Sequence, residues 1–534
     1  MKKGYVFLLF WFICGALVSR FGRQDQRLLP WTFSTAKLML FSVFLIGLGS
    51  CNKLIEKPVS QIVAPQFYKT QADAIAAVNA VYNTLNSDPD GDFAMYGREL
   101  NLMTDNTTDN QNFSPSNTNP DVRAMGTMTF VSQNSRILRN WFQHYLGINK
   151  ANIAVDRIEQ IPVTAFDSPE LKNRLIQEAK FVRGLLYFNL VRLWGPVPLI
   201  LHDPTTVDIK DQYVENASRD SLYAQIISDL TDATGLPAKY SAADIGRPTS
   251  GAAQSLLGYV YVTLKDWNQA RVTLLKVLNA GRFPGASGNY GYGLFPDFHD
   301  VFAQESKNGI EHIFSVQFGT NLGAANSKQS LSSSFTSFNV NVYPIDCISD
   351  SSVVQIFEPG DTRKGVTFYT TQYDGSSGKT SVFNNPYTPY LNKFVDYSLS
   401  PLNQQGRSGV NFPVIRYAEV LLLYAETLNE LAGPTPDAYR AVDLIRERAH
   451  INDLPLGLNK GDFRDSVFLE RRREFVQEGK RWFDLKRRGG TFMVAALHKI
   501  ASKSAASLKD TLFPIPYTEL QLNPLLKQNP GWAE

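Results

Sequence analysis

Cysteine and histidine are scarce in this chain of 534 residues, with three and six respectively. The histidines (His144, His202, His299, His312, His450, His498) are scattered without the spacing that zinc ligands need. No Gly-x-Ser-x-Gly elbow, phosphate-binding glycine loop or dinucleotide fingerprint occurs, so no cofactor is expected. The longest apolar runs fall short of the roughly 20 residues that span a bilayer. A surplus of one charge is missing too. Of 53 basic and 50 acidic residues, six basic ones (Lys2, Lys3, Arg20, Arg23, Arg27, Lys37) and one acid (Asp25) fall in residues 1–50, leaving 47 against 49. A nucleic-acid binder carries a clear basic excess, so nucleic acid is not an expected partner. Aromatic residues are what the chain has in plenty: 12%, with 34 Phe, 23 Tyr and 7 Trp. They fill cores, and Tyr and Trp also make rigid amphipathic contact surfaces.

Two apolar stretches open the chain, Tyr5 to Ser19 after Lys2-Lys3 and Leu38 to Ser50 after Lys37. Both have the length of a signal-peptide core. The second ends in Leu48-Gly49-Ser50-Cys51, which resembles a lipobox: an aliphatic residue three places ahead, then small residues, then the cysteine. Residues 1–50 are expected to be a lipoprotein leader, with Cys51 acylated and becoming the first residue of the mature chain. Several acyl chains on one cysteine anchor a soluble domain where a single chain is marginal. One such core suffices, and a non-AUG start near Leu28 would still leave Lys37 as the basic lead-in to the second. With Cys14 removed and Cys51 acylated, Cys347 has no partner and is expected as a buried spectator.

Residues 51–70, with Pro58 and Pro65, read as a tether. From Gln71, apolar residues recur at helical spacing (Ile75, Val78, Tyr82, Leu85), opening an N-terminal helical part over 71–281. A polar loop, 86–121, interrupts it. Helices are expected over 135–161, 170–194, 219–235, 249–264 and 266–280, with Gly195-Pro196 stopping the second. Residues 282–412, rich in Gly, Ser, Asn, Tyr and Phe, read as a loop-rich insert with a few short strands such as His312–Phe318. A C-terminal helical part, 413–534, has helices over 414–432, 436–450 and 463–488, then an extended tail with prolines at 514, 516, 524 and 530. Pairs such as 219–235/249–264 and 414–432/436–450 are expected as helical hairpins. The predicted fold is mainly α: irregular tetratricopeptide-like helix pairs with a loop-rich insert.

Four segments carry a family resemblance. They are EAKFVRGLLYFNLVRLWGPVPL (Glu178 to Leu199), PVIRYAEVLLLYAE (Pro413 to Glu426), ERRREFVQEGKRWFDLKRR (Glu470 to Arg488) and LFPIP (Leu512 to Pro516), the last leading to Trp532. In this order, and with Cys51 ahead of them, they resemble the SusD/RagB family over Cys51 to Trp532. The resemblance implies a helical fold with a loop-rich binding face, at the outer membrane beside a SusC-like, TonB-dependent transporter. It further implies a glycan cargo, or a peptide in some relatives, and no catalysis.

The motifs themselves read as scaffold. Phe181, Leu185, Phe188 and Val191 form one stripe and Leu186, Leu190 and Leu193 another, so that helix should be sandwiched between neighbours. In the third motif Glu470 and Arg473 are placed to pair on a helix surface, with Trp482 and Phe483 as anchors. Binding residues are expected in loops. Sugars present apolar C–H faces to aromatic rings, and hydroxyls to groups that donate and accept. Asp105-Asn106-Thr-Thr-Asp109-Asn-Gln-Asn112-Phe113 supplies such groups, and the glycine-flanked Tyr290 and Tyr292 supply rings. Tyr369, Tyr373, Tyr387 and Tyr390 are further candidates. Asp88 to Asp92 with Glu99 has the acids of a calcium loop, but Phe93 stands where the turn glycine belongs. Two other functions stay open: a surface glycoside hydrolase, and a transporter-gating scaffold with no ligand of its own.

Overall fold

The computed structural model describes residues 68–533, apart from 91–92, 115–116, 204–212, 320–345, 375–377, 386–387 and 398–407. Cys51 and the leader lie outside the described residues.

Helices begin where short polar side chains hold the first free N–H groups. Thr70 and Asp73 form a reciprocal capping box on α1 (Gln71–Asn86). Two short helices follow, α2 (Leu100–Thr104) and α3 (Pro120–Thr127). Asn134 caps α4 (Ser135–Gln160), and Ser168 with Pro169 at the first position opens α5 (Pro169–Trp194). Next come α6 (Arg219–Ala233), α7 (Ser250–Leu264) and α8 (Trp267–Leu275). After the insert stand α9 (Tyr417–Ala432), α10 (Pro436–Arg448), α11 (Lys460–Glu474), α12 (Arg481–Arg488) and α13 (Gly490–Leu497).

Contacts run helix to helix along the chain. Helix α1 packs on α4, α4 on α5, α5 on α6, α6 on α7, α7 on α8, α8 on α9, and α9 on both α10 and α11. This succession is the tetratricopeptide-like array expected from the sequence. Helix α5 is buried without interruption from Phe181 to Trp194, because its two apolar stripes face neighbours on both sides.

The insert contributes short two-stranded pairings. Strand β1 (Gln111–Phe113) pairs β3 (Asp346–Ile348), and β2 (His312–Val316) pairs β8 (Phe412–Arg416). Strand β4 (Phe368–Tyr369) pairs β7 (Tyr390–Leu391), and β5 (Thr371–Asp374) pairs β6 (Lys379–Val382). Helix α9 therefore starts three residues later than expected, since 412–416 are held as strand by β2.

Three expectations need correction. The stretch 463–488 is two helices: the chain turns at 475–480, where Gln477 and Gly479 take positive φ (69° and 72°). The polar loop 86–121 carries α2, β1 and the start of α3, and much of it is buried. The tail holds a short helix, Tyr517–Leu522.

The turn between α11 and α12 has a physical reason. It lets Glu474 and Glu478 both reach Arg416, which donates to Glu478 Oε2 at 2.8 Å and Glu474 Oε1 at 2.9 Å and also pairs Glu311. Arg448 meets Glu474 at 2.6 Å, Lys393 meets Glu478 at 2.8 Å, and Arg363 meets Glu470 at 2.6 Å and Glu474 at 3.0 Å. Burial alone raises the Glu474 carboxyl, but Arg448, Arg416 and Arg363 outweigh it and hold the group well below the usual range. The Glu470–Arg473 pair forms at 3.1 Å, yet inside the protein and not on a helix surface.

Candidate functional site

Tyr290 and Tyr292 stand on the segment that follows α8, and their rings stack with centroids 5.3 Å apart and planes 25° apart. The pair is seated by the start of α7. The Tyr292 and Thr249 hydroxyls lie 2.6 Å apart, and Asn279 Nδ2 donates to the Tyr292 carbonyl at 2.6 Å. Gly251 makes the seat possible: a Cβ there would meet Tyr292 Cε2 at 2.7 Å and Tyr290 Cγ at 3.0 Å. Burial pushes the Tyr292 hydroxyl up to about 12, against the opposing hydrogen bond from Thr249. Both tyrosines line a cleft of about 330 Å³, together with Lys239, Tyr240, Arg247, Asn308 and Ile310.

The opposite wall, around Arg247, is rigidly held. Arg247 donates to Glu178 Oε2 at 2.6 Å, to Asp244 Oδ1 at 2.8 Å and to Asn79 Oδ1 at 3.0 Å. Tyr82 also donates to Glu178, whose carboxyl is raised by burial in spite of Arg247. Arg247 is thus already neutralised. Lys239 is exposed and makes no ion pair among the described residues, so it is the cleft's available cation.

The Asp105–Phe113 loop lies elsewhere, and none of its residues lines the tyrosine cleft. Asp105, Asn106 and Asp109 are buried, so the expectation of a surface loop is corrected for them. Asp105 accepts from the Gly479 N–H at 2.9 Å, at the turn between α11 and α12. Asn106 is held by Asn101 at 2.6 Å and donates to the Asn112 carbonyl at 3.2 Å. Asp109 is clasped by Arg481 at 2.7 Å and Arg472 at 3.2 Å. Buried polar groups must find partners, and these carboxylates find theirs in the Glu470–Arg488 motif. Asn112 and Phe113 are half-buried on β1, where Asn112 opposes Cys347 and donates to Ser502 at 2.6 Å.

Two family descriptions match the chain: "SusD family" over residues 353–532, and "Starch-binding associating with outer membrane" over 60–262. SusD-like protein P2 of Formosa agariphila is 27% identical over 526 residues, covering 92% of this chain and 99% of that protein. A SusD-like protein of Bacteroides ovatus is 25% identical, covering 85% and 82%. The chain belongs to the SusD/RagB family. Among solved structures, a SusD homolog from Bacteroides thetaiotaomicron shares the fold with a TM-score of 0.74 at 24% identity, over 87% of this chain and 98% of the other. A laminarin-binding SusD-like protein aligns with a TM-score of 0.70 at 25% identity, over 87% and 100%.

In this SusD-family chain three of the four resembling segments meet in one aromatic knot. Trp482 stacks on Phe513 at 4.7 Å, Phe513 lies 6.2 Å from Trp194, and Trp194 Nε1 donates to the Pro514 carbonyl at 3.1 Å. Those motifs are scaffold, as their patterning implied. Tyr369 and Tyr390 pack with Phe383 in a buried cluster and offer no open face. Tyr387 and the side chain of Tyr373 lie outside the described residues. Asp88 and Asp90 both pair Arg139, and Glu99 pairs Arg136, so arginines answer these three acids of the calcium-like stretch, while Asp92 lies outside the described residues. Cys347 is buried, with its thiol pushed up to about 12 by that burial. Sequence reasoning missed Lys239, Tyr240 and Arg247. They sit 43 to 53 residues before the tyrosines, and only the fold brings them together.

Proposed function

We propose that this SusD-family chain is an outer-membrane lipoprotein, anchored through Cys51 and facing the exterior. It binds oligosaccharide without acting on it, and delivers it to a SusC-like TonB-dependent transporter. The observation that carries the binding site is the stacked Tyr290–Tyr292 pair, fixed over Gly251 at the edge of an open cleft. Sugar C–H faces lie well on such rings, and a ring already held in place loses little freedom on binding. The starch-binding family matched over residues 60–262 and the laminarin-binding neighbour support a glycan as the cargo. A glycoside hydrolase needs two carboxylates flanking the sugar, and the residues lining this cleft include none.

Tyr290→Ala is the informative variant, because Tyr292 is more firmly tied into the fold through Thr249. Loss of one stacking ring costs about 1 kcal/mol, roughly fivefold in affinity. Affinity electrophoresis on laminarin, soluble starch, xylan, mannan, pectin and alginate should show retention of the parent and weaker retention of the variant. A parent that no glycan retains, or that releases shortened products from one, overturns the reading.

A further inference from the structure

A second cleft, of about 240 Å³, opens within the loop-rich insert. Its most exposed aromatic is Tyr397, which keeps 52% of its surface accessible. An exposed tyrosine usually swings freely, but this one is pinned: its hydroxyl donates to Asn392 Oδ1 at 2.6 Å. That bond also fixes the Asn392 amide, whose N–H groups make no hydrogen bond among the described residues. Across the cleft, Gln304 is oriented the opposite way. Its Nε2 donates to Asp396 at 2.5 Å, Asp396 is itself held by the Gly409 N–H at 2.8 Å, and the Gln304 carbonyl oxygen is left as an acceptor. The cleft's cation is already committed, since Lys393 binds Glu478 at 2.8 Å and the Glu474 carbonyl at 2.7 Å. Phe302, Val395 and Val410 add apolar surface.

From this arrangement we infer that the Tyr397 cleft is a second sugar-binding site, distinct from the Tyr290–Tyr292 cleft. A pyranose offers an apolar face and hydroxyls that both donate and accept. The cleft presents a fixed ring, a fixed amide donor on Asn392 and a fixed amide acceptor on Gln304, each locked by its other end to a protein partner. Groups locked before binding lose little entropy when ligand arrives. Glu305, exposed on the same lining, adds a carboxylate that can accept from sugar hydroxyls. The inference rests on the glycan-binding function proposed above.

The test uses the full chain with Tyr397→Ala, Gln304→Leu, Tyr290→Ala and the double variant Tyr290→Ala/Tyr397→Ala. Each is run by affinity electrophoresis on the same six-glycan panel, with a thermal melt for each protein. Tyr397→Ala should weaken retention about fivefold with melting unchanged, as expected for one exposed stacking ring. Gln304→Leu should weaken it too, and the double variant should lose more than either single one. If Tyr397→Ala and Gln304→Leu are retained like the parent while Tyr290→Ala is weakened, the second site is wrong and the function stands. If the parent binds nothing in the panel, both fall. Should Tyr397→Ala melt early, crystals of the parent soaked in laminarihexaose or maltoheptaose decide: sugar density over Tyr397 supports the site, and its absence there overturns it.

Discussion

Asp109 and Arg481, 372 residues apart, close a two-point clasp in which Arg481 Nε donates to Oδ1 and Nη2 to Oδ2, both at 2.7 Å. The clasp fastens the polar loop after α2 to the first turn of α12. Breaking a buried ion pair leaves its partner charged and unsolvated, at a cost of about 3–5 kcal/mol. Asp109→Ala should therefore lower the melting temperature clearly at pH 7, and equal melting of the two proteins would show that the pair is not holding the loop.

The same pair sets an acid limit. Burial raises the Asp109 carboxyl, but Arg481 and Arg472 outweigh it and hold the group down to about 2. A carboxyl depressed in the folded state stabilises above its unfolded value near 3.9, and that contribution fades as pH falls through about 2. Melting of the parent should drop between about pH 4 and pH 2 more steeply than melting of Asp109→Asn. Parallel curves for the two proteins would exclude Asp109 as a source of acid sensitivity.

Trp482 is fully buried and stacked on Phe513, so it ties the C-terminal tail to the helices. Trp482→Ala should destabilise by about 3–5 kcal/mol, with Trp482→Phe losing less because a ring is retained. Urea unfolding checks both, and an undisturbed midpoint for the alanine variant would contradict the packing role.

Elements whose burial is encoded locally were readable from sequence. The double stripe of α5 and the all-round apolar pattern of α9 each announce a helix with neighbours on several sides, and the structure supplies them. The Asp105–Asn110 stretch was not readable in the same way. Short polar residues in a row have the composition of surface turns, and only distant partners, Gly479 and Arg481, turn them into core. The break at 475–480 did leave a trace, since Gly479 interrupts an otherwise helical pattern. Tyr290 and Tyr292 stood out by their flanking glycines, whereas the glycine that seats them, Gly251, lies in another helix. Tyr397 had no local mark, because the cleft that makes it a candidate also needs Phe302 and Gln304 from far earlier in the chain.

Cys51 carries the anchoring prediction, which rests on the leader pattern and on residues outside the described part of the chain. Cys51→Ala should leave the protein as uncleaved precursor or free it from membranes, because the acyl chains supply the membrane affinity. Fractionation with intact-mass measurement checks this. A parent protein found unmodified, with residues 1–50 still attached, would remove the basis for the anchor.

Gly251 gives a way to disturb the tyrosine pair without touching either ring. It lies in the first turn of α7, where alanine suits the backbone better than glycine, so helix propensity alone predicts a gain of up to about 1 kcal/mol for Gly251→Ala. The new methyl group, however, would fall 2.7 Å from Tyr292 Cε2 and 3.0 Å from Tyr290 Cγ, well inside van der Waals contact. Both rings must then lift, and the close approach of the Tyr292 and Thr249 hydroxyls at 2.6 Å is strained or lost. Crowding of this kind costs about 1–3 kcal/mol, enough to cancel the helix gain. The expected result is a melting temperature that moves little or falls slightly, together with a changed tyrosine signal in near-ultraviolet circular dichroism. If the tyrosine cleft binds glycan, retention should weaken as it does for Tyr290→Ala, although both tyrosines are still present. An unchanged tyrosine signal with raised melting would mean that the pair does not depend on Gly251 for its seat.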